Sequence, residues 1–194
     1  MLELARVQKE LQELTRDVKV SGITVKPNGD SLSHLIGTIS GPIDTPYEGG
    51  SFLIDIVLPD QYPYEPPKMR FITKVWHPNI SSQSGAICLD ILKDHWSPAL
   101  NMKTALLSLQ ALLSAPEPTD PQDAVVAQQY LQDYPTFLGT ARYWTEAFAI
   151  VSTLGIEEKV QKLVEMGFTE ALVRNTLEAV GGDENLALEK LCSS

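Results

Sequence analysis

Basic charge is scarce in this chain. Its 194 residues hold 15 lysines and arginines against 25 acids, a formal net charge of −10. A nucleic-acid binder needs a basic face to neutralise phosphates, so this balance argues against DNA or RNA as a partner. It argues equally against an anionic membrane surface. Long apolar runs are missing as well: no segment approaches the ~20 residues needed to span a bilayer. The opening MLELARVQKELQEL mixes charge with apolar residues and has no signal-peptide core. Cysteine is limited to Cys88 and Cys192. One bridge at most can form, which is not the pattern of a secreted disulfide scaffold. Both are read as free thiols of a reducing compartment. Paired zinc ligands are lacking, since His77, Cys88 and His95 are scattered, so no metal is expected. No phosphate-binding loop occurs, so no bound nucleotide is expected.

The residues that are present describe a globular protein. With 43% hydrophobic and 21% charged residues, the composition is ordinary for a soluble fold. The length allows one full domain and a small second one. Leu4, Val7, Leu11, Leu14 and Val18 recur at helical spacing, and Arg6, Lys9, Glu10 and Arg16 are assigned to the solvated faces. Four strands follow. Ile23 to Val25 ends at Pro27 with an Asn28-Gly29 turn, and Leu35 to Ser40 comes next. Phe52 to Leu58 alternates at period two, and Met69 to Thr73 is the fourth. This order predicts an α+β fold, a four-stranded antiparallel sheet with flanking helices. Between the last two strands, Leu58 to Lys68 holds four prolines. It can be neither helix nor interior strand, and is read as a rigid surface loop displaying Tyr62 and Tyr64. Residues 77 to 100 show no period, and irregular stretches of that length are usually functional. Helices resume over Lys103 to Ala115 and Asp123 to Gln132, then along Phe137, Ala141, Trp144 and Phe148.

The pattern lapses near residue 150. The reading is a domain over 1–149, a linker over 150–155 and a second domain over 156–194. Acids outnumber bases in both domains. The tail reads as three short helices: one holding Val160, Leu163 and Val164, one starting at Thr169 and closed by Gly181-Gly182, and one capped by Asp183. Such a bundle is too small for a deep active site, so binding is its expected role.

Chemistry is expected at Cys88. A Cys-His hydrolase would need His77 or His95 within reach of the thiol, but the flanking motifs of cysteine proteases are absent. His77-Pro78-Asn79, the Ile87-Cys88-Leu89 cysteine and Trp96-Ser97-Pro98-Ala99-Leu100 together resemble the signature of ubiquitin-conjugating enzymes. The resemblance runs over residues 1 to about 149. It includes Gly41-Pro42, Thr45 to Gly50, Tyr62-Pro63, Asp120-Pro121 and the last helix with Trp144. Met166-Gly167-Phe168 and the closing leucine-rich helix resemble a ubiquitin-associated domain.

The resemblance implies a thioester of ubiquitin on Cys88, received from an ATP-using activating enzyme and passed to lysines of protein substrates. It implies that Asp120 lies near the incoming lysine, and that Asn79 serves the oxyanion directly or by fixing its loop. His77 and Pro78 are expected to support that loop. Tyr64, Pro98 and Ala99 match positions that dock a ubiquitin ligase, RING-type by expectation, and Arg6 and Lys9 match a region shared by ligase and activating enzyme. Leu107 and Ser108 match the face closed by the donor ubiquitin, although Leu107 reads equally well as core. Met166, Gly167, Phe168 and Leu191 would contact ubiquitin in the tail. Polyubiquitin chains of the proteasomal type, and a cytoplasmic or nuclear location, are the accompanying expectations. A silent ubiquitin adaptor and an enzyme for a ubiquitin relative remain as alternatives.

Overall fold

The computed structural model describes residues 1–150 and 153–193. The chain divides into two compact units, 1–149 and 150–194. Residues 151 and 152 of the expected linker lie outside the described residues.

The first unit opens with α1 (Leu4–Ser21), which ends at Gly22 in the left-handed conformation. Strands β1 (Thr24–Asn28), β2 (Ser31–Ser40), β3 (Ser51–Val57) and β4 (Lys68–Phe71) form an antiparallel meander in the order β1-β2-β3-β4. The alternation read in the sequence sets the register: Leu35 faces Ile56, Gly37 faces Ile54, and Ile39 faces Phe52. The side chains of Leu35, Ile39, Phe52, Ile54 and Ile56 share the inner face and are buried. Burial of each such side chain contributes roughly 1.5–3 kcal/mol. Helix α2 (Met102–Ser114) lies on this face with Leu106 and Leu109 fully buried. Gly37 permits the approach: a Cβ there would sit 3.3 Å from the Leu106 side chain. Asn101 caps α2 by accepting from the Thr104 N–H. Helices α3 (Ala124–Gln132) and α4 (Tyr134–Trp144) follow, capped by Asp123 and Asp133. The chain then widens into a π-helical turn, Thr145–Ala149, which buries Ala149 and leaves Phe148 exposed.

The structure differs from the sequence reading at several points. Pro27 does not end β1; it pairs with Leu35 on an edge strand beside a register shift, the positions in a sheet where proline is tolerated. Tyr62 is not displayed with Tyr64: it is buried with its hydroxyl on Glu10, whereas Tyr64 is exposed. Glu10 is not on a solvated face. Val7, Glu10 and Leu14 form the buried stripe, and Glu10 accepts hydrogen bonds there. The aperiodic stretch 77–100 is pinned by short bridges, Ile80 to His77 and to Ile87, and by one turn of 3-10 helix at Asp90–Leu92.

The second unit contains α5 (Thr153–Glu165), α6 (Glu170–Ala179) and α7 (Glu184–Cys192). Its core is Val160, Leu163, Val173, Leu177, Val180, Ala187 and Leu191, with Phe168 packed against it. Asp183 caps α7 by accepting from the Asn185 and Leu186 N–H groups. Thr169 stands at the start of α6 without a side-chain cap bond.

Candidate active site

Cys88 sits where the irregular stretch returns to the sheet. Its N–H donates to the Asn79 carbonyl at 2.9 Å, so the His77–Asn79 segment and the cysteine are locked side by side. The approach to Cys88 passes through Gly85, whose φ of +76° and contact with the Phe71 carbonyl admit no side chain. On the other side, the Pro78 carbonyl accepts from the N–H groups of Gln122 and Asp123. Asp123 in turn accepts from the N–H and hydroxyl of Ser82 while capping α3. Pro78 therefore ties the cysteine loop to the 117–123 segment through its carbonyl.

Asn79 makes the same connection with its side chain. Its Nδ2 donates to the carbonyls of Glu117 and Asp120, both at 2.9 Å, and its Oδ1 accepts from the Glu117 N–H at 2.8 Å. The side chain is buried and both of its amide hydrogens are in use. Of the two roles expected for Asn79, this geometry supports fixing the loop: neither amide hydrogen points to an open position beside the sulfur.

His77 is fully buried. Its Nε2 donates to the Leu112 carbonyl at 2.8 Å and its Nδ1 accepts from the Asn79 N–H at 3.0 Å. Burial pushes its pKa down to about 4, against the opposing pull of the Leu112 carbonyl. The ring is neutral at pH 7 with both nitrogens occupied, a brace between the loop and the end of α2.

Around the Cys88 sulfur, the Asp120 carboxylate lies 3.8 Å away and the Lys93 ammonium 3.7 Å away. Cys88 is half-buried; Asp120 and Lys93 are exposed. No histidine partners the sulfur among the described residues. His95 is held by Asp90 at 3.0 Å instead, which raises its pKa. Lys93 went unnoticed in the sequence because an irregular loop offers no period from which to place a side chain five positions on. The arrangement combines an accessible thiol, a carboxylate and an ammonium group on either side of it, and a loop fixed from below.

The remaining expected residues separate into exposed and buried. Tyr64 is 69% exposed, and Pro98, Ala99 and Lys9 also face solvent. Arg6 is half-buried and reaches across to the carbonyls of Pro98 and Leu100. Leu107 is 40% exposed on α2 beside the half-buried Ser108, which decides against its being purely core. In the tail, Met166 is 55% exposed and Gly167, at φ +104°, has open space around it. Phe168 is half-buried against the tail core. Leu191 is a correction: it is 5% exposed inside that core, so it supports the bundle and offers no contact surface.

Comparison with known proteins gives the family. Residues 6–145 match the family model described as ubiquitin-conjugating enzyme, and residues 156–191 match that of the UBA/TS-N domain. The chain is 69% identical to ubiquitin-conjugating enzyme E2 27 of Arabidopsis thaliana over 194 residues, covering 100% of both. It is 46% identical to human ubiquitin-conjugating enzyme E2 K over 197 residues, covering 100% of this chain and 98% of that one. A solved Toxoplasma gondii ubiquitin conjugating enzyme E2 domain is similar at a TM-score of 0.73 and 56% identity, over 76% of this chain and 99% of that one. The α+β fold, the Cys88 loop and the three-helix tail thus meet in one assignment: the chain belongs to the ubiquitin-conjugating enzyme family and carries a C-terminal ubiquitin-associated domain.

Proposed function

We propose that Cys88 carries ubiquitin as a thioester and that the enzyme passes it to lysine amines, building polyubiquitin chains. The observation that carries this reading is the accessible Cys88 sulfur with Asp120 at 3.8 Å, on a loop braced by Asn79. In the charging step the Cys88 thiolate attacks the ubiquitin thioester held by the activating enzyme. A carbon–sulfur bond forms at Cys88, and the activating enzyme's thiolate leaves. One thioester replaces another, so the exchange is near balance and needs little acid–base help. ATP is consumed by the activating enzyme, and this chain binds no cofactor.

In the transfer step a substrate lysine attacks the same carbonyl. A carbon–nitrogen bond forms, Cys88 leaves as thiolate, and the amine gives up its proton. An ordinary lysine has a pKa of about 10.4, so fewer than roughly one in a thousand is neutral at pH 7. Asp120 orients the amine and takes the proton as attack proceeds. A carboxylate by itself favours the charged amine, so exclusion of water by the bound partners supplies the opposing effect. Asn79 keeps the Asp120 segment in place, and His77 and Pro78 hold the floor beneath it.

Tyr64, Pro98 and Ala99, with Arg6 and Lys9, form the docking surface for a ligase of RING type, and Leu107 with Ser108 faces the donor ubiquitin. Met166, Gly167 and Phe168 bind ubiquitin in the tail. Tethering then raises the concentration of ubiquitin available to the enzyme. The cytoplasm and nucleus, where thiols stay reduced, suit this chemistry, and proteasomal degradation is the proposed fate of its products.

The test is incubation with ubiquitin, activating enzyme and ATP, followed by gels with and without thiol reductant. The proposal requires a reductant-sensitive adduct that persists in Cys192→Ser and is lost as a thioester in Cys88→Ser. No adduct with active partners would refute it.

A further inference from the structure

The chemistry proposed above leaves Glu10 unused. Its carboxylate is buried, and three donors converge on it. Oε1 accepts from Arg6 Nε at 2.6 Å and from the Tyr62 hydroxyl at 2.8 Å. Oε2 accepts from the same hydroxyl at 2.9 Å and from the Met102 N–H at 2.9 Å. These donors come from three separate pieces of chain: α1, the proline-rich loop and the first turn of α2.

The linkage continues outward. Arg6 Nη2 donates to the carbonyls of Pro98, at 3.1 Å, and Leu100, at 2.7 Å. Trp96 Nε1 donates to the Pro63 carbonyl at 2.8 Å, and the rings of Tyr62 and Trp96 lie 6.0 Å apart. Burial, followed by the neighbouring Glu10, raises the Tyr62 phenol far above its ordinary pKa, so it remains a donor. Two of the pieces bonded to Glu10 display part of the proposed ligase-docking surface, Lys9 on α1 and Tyr64 next to Pro63, and the third part, Pro98 with Ala99, is tied to Glu10 through Arg6. A buried carboxylate is costly unless fully bonded, and its best-attested use is to fix the register of the parts around it.

We infer that Glu10 is a positioning residue for ligase docking, holding Tyr64 and the Pro98–Ala99 tip in one fixed mutual register. This rests on the docking surface proposed above. A preassembled surface binds without first ordering its three pieces, so its value appears in ligase affinity. The chemistry at Cys88 is left unchanged.

The experiment uses the full chain charged with ubiquitin, free lysine as acceptor, and a RING domain that accelerates discharge from the unmodified protein. Glu10→Gln, Tyr62→Phe and Tyr64→Ala are compared across a range of RING concentrations. The expected result for Glu10→Gln and Tyr62→Phe is a half-maximal RING concentration raised about tenfold, with the saturating and ligase-free rates within about twofold of the unmodified chain. Tyr62→Phe removes one oxygen and keeps the ring packing, so it guards against a Glu10→Gln variant that fails to fold. A second readout is the indole N–H resonance of Trp96: in Tyr62→Phe it shifts, while that of Trp76, bonded to Gln129, stays.

Unchanged RING dependence in both variants, with Tyr64→Ala weakened, overturns the positioning role and leaves the docking surface standing. An unaffected Tyr64→Ala overturns the docking surface and the inference with it. A ligase-free rate that falls in step with the stimulated one, or an unmoved Trp96 resonance, also overturns the inference.

Discussion

Replacing Asn79 by alanine separates two accounts of this residue. Its side chain makes three bonds to the 117–120 segment, at 2.9, 2.9 and 2.8 Å. Removing them orphans one N–H and two carbonyls, at about 1–3 kcal/mol for a group left truly dry. Glu117 and Asp120 are exposed, so water replaces part of what is lost. A stability cost of about 2 kcal/mol is expected, which a domain stable by ~5–15 kcal/mol survives. The effect on transfer is larger, because the segment that carries Asp120 loses its anchor. A positioned general base is worth about 10²–10⁴ in rate, and displacing it forfeits much of that. The assay is single-turnover discharge of the Cys88 thioester to free lysine, measured for Asn79→Ala, Asp120→Ala and the double variant. If Asn79 acts through the loop, the losses overlap, and the double variant falls within about threefold of the slower single. If Asn79 donates to the oxyanion directly, its loss of about 10²–10³ multiplies that of Asp120→Ala. Multiplicative losses would refute the bracing argument.

Three further outcomes are expected. His77 binds its proton only near pH 4 in the folded protein but near 6.5 when unfolded, so the unfolded state holds more protons between these values. Stability should therefore fall as pH drops from 6.5 to 4, by about 3 kcal/mol over those 2.5 units at 1.36 kcal/mol each; urea titrations at pH 7 and pH 5 that give equal stability after His77→Gln, and unequal stability before it, would bear this out. Gly85→Ala should cost more than the ~1–2 kcal/mol of its left-handed backbone, because the new Cβ lies 2.0 Å from the Phe71 carbonyl; the midpoint of thermal unfolding reads it directly. Leu191→Ala should cost about 2–5 kcal/mol and unfold a tail of this size, seen as lost helical circular dichroism, whereas Met166→Ala should weaken ubiquitin binding with the helices intact.

Periodic residues were the legible ones. The alternation from Phe52 to Leu58 fixed a strand and its buried face, and the leucines of 103–115 marked a buried helix. The motif around His77 and Cys88 pointed to the candidate site, but the partners of each side chain came only from tertiary structure. Asn79 read as a donor with a choice of targets; the fold commits it to Glu117 and Asp120. Glu10 was misplaced because charge outweighed position. Its spacing of three from Val7 and four from Leu14 already set it on the apolar stripe. Leu191 shows the opposite case: a leucine near the end of a short bundle reads as contact surface, but the fold turns it inward beside Leu163 and Leu177 and leaves Leu172 exposed instead. Lys93 and Pro27 depended on loop path and sheet-edge position, which no local pattern encodes.

The openness of the Cys88 site has a consequence for inhibition. The sulfur is half-buried and flanked by the exposed side chains of Asp120 and Lys93, so an arriving molecule meets a ledge. A small electrophile aimed at Cys88 would gain reactivity there and little else, since affinity needs walls to bury it. Selective compounds are better directed at a neighbouring open crevice, where Pro66, Pro67, Met69, Ile87 and Leu92 are bordered by Glu65, Lys68 and Lys93. A ligand anchored there could reach toward the thiol with its identity already read by surface the chemistry never touches.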